Sequence, residues 1–475
     1  MNILYDRNLF LGKELFSRLG NAKPCDTRTL TRNALKTTDL LFVRSTHRID
    51  NQLLQDTPVR FVGSGVAGTD HIDFEALRRL NITVSTAPGC NAESVADFVM
   101  AALLEIGHRR QTSWEGKTLG IVGVGHVGKI VKRFAEEALG MKTLCCDPPR
   151  KSRGEFGTEA FVSFEELLPQ ADVLTFHTPL TTDGPCPTVG LFSGPIVRKV
   201  KPGAVLINFA RGPICDNRLL VTMLGAGLLS DAAIDCWEGE PNYDADLAQL
   251  AILTTPHIAG HAYEGKANGT VMIYRDACRF LAKEPGDIPD FPPAPVPELT
   301  LNCTERNDEE ILHEAVLTTC DIVGDDRRFR QAFAPDDESR MKAFDDLRKT
   351  YPHRRLFSAT ILHLAGASET LTQKLAALGF IIGTAAKKPT TKKPAAKKPA
   401  AKKPAAKKPA AKKPATQEPV ADAATLAALT EQIALLQAQV ASLQQAAQST
   451  AKKTTTKKPA KKTAAKKTAS KKSTK

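Results

Sequence analysis

The chain has 475 residues, room for two to four domains with sizeable cores, and a net charge of +13. That charge is segregated: residues 384–475 carry 23 lysines against three acids, while residues 1–383 carry 42 basic and 49 acidic side chains, a mildly acidic body unlike a folded nucleic-acid-binding domain. Ten cysteines with no C-x-x-C pair argue against a disulfide or zinc framework and for reduced thiols in a cytoplasm.

In chain order, MNILYD, LLFVRS, VRFVGS and NITVST read as buried strands separated by helix or turn signals, the pattern of a parallel sheet covered by helices. The opening decapeptide MNILYDRNLF lacks the basic and long apolar segments of a signal peptide. No apolar run reaches about 18 residues anywhere in the chain, so no membrane span is expected. From Ala92 the segment AESVADFVMAALLEIGHRR has helical periodicity. A second α/β series follows, with strands in TLGIVGVG, KTLCCD, DVLTFHT, AVLINFA, AAIDCW and AILTTPHIAG. Prolines cluster at 285–300, marking a linker or domain edge, and an α+β stretch runs from there to about Gly383.

Beyond it the period-five repeat K-K-P-A-A begins at Lys387; proline at every fifth position forbids a continuous helix and predicts a hydrated spacer over 384–420. Within 421–447, Leu426, Leu429, Ile433, Leu436, Val440, Leu443 and Ala447 alternate by three and four, a three-heptad seam of the parallel-dimer type. A basic, disordered tail closes the chain over 448–475. Paired lysines without aromatics suit nonspecific contact with nucleic-acid or other polyanion backbones; a solvated appendage is the alternative.

The chemistry is concentrated in four fragments. LGIVGVGHVGKI places Gly123, Gly125 and Gly128 as G-x-G-x-x-G between a strand and a helix, and Asp147 follows 19 residues after Gly128 at the end of the next strand. Such glycines permit a tight turn and close approach of a pyrophosphate to a helix N-terminus, and the acid can accept from ribose hydroxyls while repelling a 2′-phosphate, which favours NAD over NADP. Then NFARGPICDN, IDCWEGEP and TTPHIAG each set polar residues just past an apolar strand, where a parallel sheet opens its ligand crevice. Arg211 offers a fork for a carboxylate, His257 can take a proton, and Glu240 can orient and tune it.

Together these fragments resemble the D-isomer-specific 2-hydroxyacid dehydrogenase family. A narrower likeness, to members acting on a small phosphorylated 2-hydroxy acid, rests on AGTDHID (67–73), APGCNAESVA (87–96), CDPPR (146–150), TFHTPLTTDGP (175–185) and HIAGHAYEGKA (257–267), and covers roughly residues 1–382. The resemblance implies a catalytic trio Arg211, Glu240 and His257, further NAD contacts at Thr178, Asp235 and Gly260, and substrate contacts at Ser45, Val66 and His261. It implies two Rossmann-like doubly wound domains around an interdomain cleft: a discontinuous substrate-binding domain (1–93 plus 258–285) and an NAD-binding domain (94–257). A dimerisation domain over 286–383 would make the protein a homodimer. No metal and no membrane partner are implied.

Two positions depart from the narrower group. Val66 stands where threonine is usual, and His261 where tyrosine is usual, with Tyr263 two residues on. A protonated His261 would offer charge to a phosphate. The competing readings are an NAD-binding scaffold held to nucleic acid by the tail, and a dehydrogenase of another D-2-hydroxy acid.

Overall fold

Short aliphatic runs bounded by turn formers build three parallel sheets in the computed structural model, which describes residues 1–155, 160–334 and 336–383. The lysine repeat, the heptad seam and the closing basic run lie outside the described residues.

The first sheet holds β1 (Asn2–Asp6), β2 (Asn21–Cys25), β3 (Leu40–Val43), β4 (Phe61–Ser64) and β5 (Thr83–Thr86), in the order β2-β1-β3-β4-β5. β3 and β4 are buried along their whole length, as strands covered on both faces must be. β2 adds a strand that the sequence reading lacks. Its NAKPC is polar and carries Pro24, a residue that only an edge strand tolerates. The helix Tyr263–Phe280 returns to this sheet, where Ile273, Tyr274 and Ala277 share a core with Ile3, Phe42 and Phe61. The contact is close because it is made at glycines: a Cβ on Gly269 would fall 2.1 Å from the Gly65 carbonyl oxygen.

The second sheet holds β6 (Thr118–Val122), β7 (Lys142–Cys146), β8 (Val173–Phe176), β9 (Ala204–Asn208), β10 (Leu229–Ile234) and β11 (Leu253–Thr254), all parallel, in the order β11-β10-β9-β8-β6-β7. The helix Ala92–Arg110 links the two sheets. Fifteen of its 19 residues are buried, so it has no solvent face and is covered by other elements all round. Its neighbours include the helices His126–Glu137, Tyr263–Phe280, Asp308–Thr319 and Ile322–Gln331. Each large aliphatic or aromatic side chain buried there, such as Phe98 or Leu103, stabilises the fold by about 1.5–3 kcal/mol relative to exposure.

The third sheet differs from the sequence reading. β12 (Glu298–Asn302), β13 (Ile361–Ala365) and β14 (Ile381–Ile382) are all parallel, so this region is α/β rather than α+β. Parallel pairing demands long crossovers. The helices Asp308–Thr319, Ile322–Gln331 and Asp337–Lys349 lie in the first crossover, and Glu369–Ala377 forms the second. Three buried groups staple this region to the rest of the chain. Asp326 accepts from the Thr254 amide (2.8 Å) and hydroxyl (2.9 Å) at the end of β11. Arg354 donates to the Ala259 carbonyl (2.6 Å) and the Ser94 hydroxyl (2.9 Å), and Asp97 accepts from the Phe357 amide (3.1 Å). Among the described residues, no helix is long and apolar enough to cross a membrane.

Candidate active site

The ends of β9, β10 and β11 lie side by side, and the loops leaving them carry Arg211, Glu240 and His257. Three fragments far apart in sequence thus meet at one sheet edge. The His257 ring Nδ1 lies 2.6 Å from Glu240 Oε1, and the Trp237 amide donates to Glu240 Oε2 at 3.1 Å. Burial alone would raise the Glu240 carboxyl. The charge and hydrogen bond of His257, the Trp237 amide and the charge of Arg348 outweigh it and hold Glu240 below the usual range, so it is ionised at neutral pH. An ionised Glu240 accepts only, so His257 carries its proton on Nδ1 and leaves Nε2 with a lone pair.

The backbone that presents this ring is fixed from beneath. His257 sits at φ 54 and its amide donates to the Asp235 carbonyl at 2.8 Å. The buried Asp235 carboxylate accepts from the Thr255 hydroxyl (2.7 Å) and the amides of Ile258 (2.7 Å) and Ala259 (3.0 Å). Asp235 therefore spends most of its acceptor capacity on the loop that carries His257. Gly260 closes the same loop against the start of the helix Ala92–Arg110, where a Cβ would lie 2.3 Å from Asn91 Nδ2.

Arg211 reaches across from the second sheet to the loop after β4. Its Nε and Nη2 both donate to Asp70 Oδ2 at 3.2 Å, and its Nη1 donates to the Ala210 carbonyl at 2.9 Å. A guanidinium has five N–H donors, so one remains on each terminal nitrogen, a pair matched to a carboxylate. The approach depends on Gly68, whose added Cβ would fall 2.0 Å from Arg211 Nη2. Gly68→Ala is expected to displace the guanidinium and lower kcat/KM by about 100-fold with little change in Tm. Steady-state rates beside a thermal melt check it. Ser45 and Val66 occupy the loops after β3 and β4 on this same side, Ser45 exposed and Val66 half-buried.

The dinucleotide fingerprint forms a turn shaped for a pyrophosphate. Gly123 is at φ +88, and its Cβ would meet Thr178 Cγ2 at 2.8 Å; Gly128 lies so close to the Gly123 carbonyl that its Cβ would be 2.2 Å from the oxygen. Gly125 caps the helix His126–Glu137 with no side chain over the terminus, and a Cβ there would meet nothing within 4 Å. The turn is thus closed behind and open in front, where a pyrophosphate would lie. Beside it, Thr178 Oγ1 is buried without a hydrogen-bond partner among the described residues. Asp147, at the end of β7, accepts from the amides of Val124 (2.8 Å) and Arg150 (3.0 Å), which leaves about half of its acceptor sites for ribose hydroxyls. These residues fit NAD. Asp147→Ala is expected to raise the KM for NAD by about 10- to 100-fold, because it removes the ribose acceptor and frees the glycine loop. Titration of the rate against NAD measures it.

Of the two departures, His261 sits in a distinctive environment. The His261 ring is enclosed, its Nδ1 has no partner among the described residues, and its edge faces Tyr351 at 5.8 Å. Burial first, then repulsion from Lys266, Arg348, His257 and Arg44, pushes it well below the usual imidazole value. It is neutral near pH 7, which runs against the idea that a protonated His261 offers charge to a phosphate. Tyr263 does not take its place: its ring lies in an aromatic group with Phe10, Phe291 and His353. Sequence reasoning did not single out Arg44, Asp70, Lys266 or Arg348.

Residues 98–259 match the family described as D-isomer specific 2-hydroxyacid dehydrogenase, NAD binding domain, and residues 291–379 match a domain of unknown function, DUF3410. The erythronate-4-phosphate dehydrogenases of Salmonella paratyphi B and Salmonella typhi are each 41% identical over 382 residues, which is 80% of this chain and 98% of theirs. Among solved structures, the TT0316 protein of Thermus thermophilus aligns with a TM-score of 0.52 at 26% identity, over 60% of this chain and 98% of that one. The NAD+-bound 3-phosphoglycerate dehydrogenase of Entamoeba histolytica aligns with a TM-score of 0.51 at 26% identity, over 59% and 95%.

Proposed function

We propose that this chain, which belongs to the erythronate-4-phosphate dehydrogenase family of D-isomer-specific 2-hydroxyacid dehydrogenases, oxidises 4-phospho-D-erythronate at C2. The product is (R)-3-hydroxy-2-oxo-4-phosphooxybutanoate, and the step belongs to pyridoxal 5′-phosphate biosynthesis. The chain is an NAD-dependent dehydrogenase. NAD, held by the glycine turn, Thr178 and Asp147, supplies the hydride acceptor.

The chain's own residues supply placement and a proton sink. Arg211 uses its two remaining donors to hold the substrate carboxylate, which fixes C2 relative to the sheet edge. His257 Nε2 takes the proton of the C2 hydroxyl as hydride leaves the same carbon, so the alcohol becomes a ketone and the ring becomes an imidazolium. Glu240 stabilises that imidazolium through Nδ1. The observation that carries this reading is the 2.6 Å Glu240–His257 pair at strand ends neighbouring the one that bears Arg211.

Residues 286–383 are assigned to self-association, with exposed Met341 and Ile381 available to a second copy.

The test of the reaction is NADH formation from 4-phosphoerythronate, 3-phosphoglycerate and D-lactate offered separately, with 2-oxoglutarate in a parallel coupled assay. Turnover confined to 4-phosphoerythronate supports the proposal. Turnover of another 2-hydroxy acid alone moves the substrate, and none with NAD bound returns the scaffold reading.

A further inference from the structure

Three cations from three separate parts of the chain act on His261. Arg44 leaves β3 and is half-buried; Lys266 lies in the first turn of the helix Tyr263–Phe280; Arg348 ends the helix Asp337–Lys349. Lys266 Nζ lies 5.8 Å from the centre of the Tyr351 ring, which also meets the His261 ring at 5.8 Å and whose hydroxyl donates to Asp325 at 3.0 Å. Arg348 precedes Tyr351 by three residues, and its Nε is buried without a hydrogen-bond partner among the described residues. The charge of Arg348 acts on Glu240, Arg44, Lys266 and His261 alike.

Among the described residues, none of the three cations forms an ion pair. The acid that acts on Arg44 is Asp6, and its oxygens are already committed to the Asn8 amide (2.8 Å) and the Thr27 hydroxyl. Burial and the surrounding guanidinium groups push Lys266 down to about 8, which records what the grouping costs when no anion is present. A multivalent anion among them would offset that repulsion. Two guanidinium forks and an ammonium match the oxygens of a phosphate. The phosphate of a four-carbon 2-hydroxy acid lies two carbons beyond the C2 that His257 addresses, and His261 follows His257 by one turn of chain.

We propose that Arg44, Lys266 and Arg348 form the subsite for the substrate's phosphate, with Arg348 delivered by the C-terminal region of the chain. This rests on the reaction proposed above and deepens it: selectivity for a phosphorylated substrate is set by these three cations and not by His261. It also gives the C-terminal region a part in substrate binding, for which the Asp326 and Arg354 staples hold it in place.

The test compares full-length wild type, Arg348→Gln and Lys266→Met on 4-phosphoerythronate and on unphosphorylated D-erythronate, with Tm and NAD affinity as controls for folding. The expected result is a fall in kcat/KM of about 10- to 100-fold on the phosphorylated substrate, mostly in KM, with the rate of Lys266→Met on D-erythronate unchanged and that of Arg348→Gln, whose charge also steadies Glu240, falling several-fold less than its rate on the phosphorylated substrate. Arg348→Lys should recover part of the loss. Equal losses on both substrates, or none on either, would overturn the subsite. Should wild type oxidise neither compound, the reaction fails separately, and calorimetric titration of the NAD-loaded protein with inorganic phosphate decides the subsite. Binding that Arg348→Gln and Lys266→Met abolish sustains it, and binding equal in all three proteins, or absent from all, rejects it.

Discussion

Replacing His257 by glutamine is expected to lower kcat by about 10²–10⁴-fold while leaving the affinity for NAD unchanged. Glutamine preserves bulk and a hydrogen-bond partner for Glu240 but has no group that titrates near neutrality. The expected size follows from how fully the ring is prepared. Glu240 holds Nδ1 at 2.6 Å, the Trp237 amide holds Glu240 at 3.1 Å, and the backbone at φ 54 is tied to the Asp235 carbonyl at 2.8 Å. None of these groups can take over the proton transfer, because the ionised Glu240 is spent on Nδ1 and Asp235 is buried beneath the loop. Steady-state NADH formation, with calorimetric NAD binding beside it, gives both quantities. A fall of less than tenfold would remove His257 from the base role.

The fold was legible where burial is symmetrical. LLFV, AVLIN and VLTF are apolar without alternation because both faces of a parallel sheet are covered, and the helix Ala92–Arg110 follows the expected segment residue for residue. It was not legible where burial is partial. NAKPC forms a strand because an edge needs only one bonded side, and its polar residues and Pro24 gave no strand signal. The third sheet was misread for another reason. ELTLN, ILHLA and II show that strands exist, but direction is set by connection, and the crossovers through four helices decide for parallel pairing.

The site divides along the same line. Arg211, Glu240 and His257 could be found because each follows a strand, and neighbouring parallel strands bring their C-terminal loops to one edge. Asp70 and Arg348 could not. Asp70 lies in AGTDHID, where nothing in the local pattern shows that Arg211 will reach it from another sheet. Arg348 lies in DESRMKAFDDLRK, a segment so charged that every basic residue reads as solvated, and only the tertiary fold buries its Nε. His261 was visible but its charge state was not: its pKa depends on burial and on cations from distant segments.

Arg211→Lys is the sharpest separation of charge from geometry that the site permits. The variant keeps the positive charge, yet an ammonium cannot hold Asp70 on one edge and a substrate carboxylate on another. In the present arrangement three donors go to Asp70 and the Ala210 carbonyl, and those contacts aim the remaining two. A lysine that turns to Asp70 leaves the substrate unheld, and one that turns to the substrate leaves Asp70 unpaired across the cleft. Two charge-assisted hydrogen bonds are at stake, at about 1.5–3 kcal/mol each in a desolvated site, so kcat/KM is expected to fall by about 10²–10⁴-fold. The loss should appear in kcat as well as KM, since the same contacts fix C2 relative to His257. A loss confined to KM would mean that Arg211 supplies attraction alone and that orientation comes from the phosphate end of the substrate.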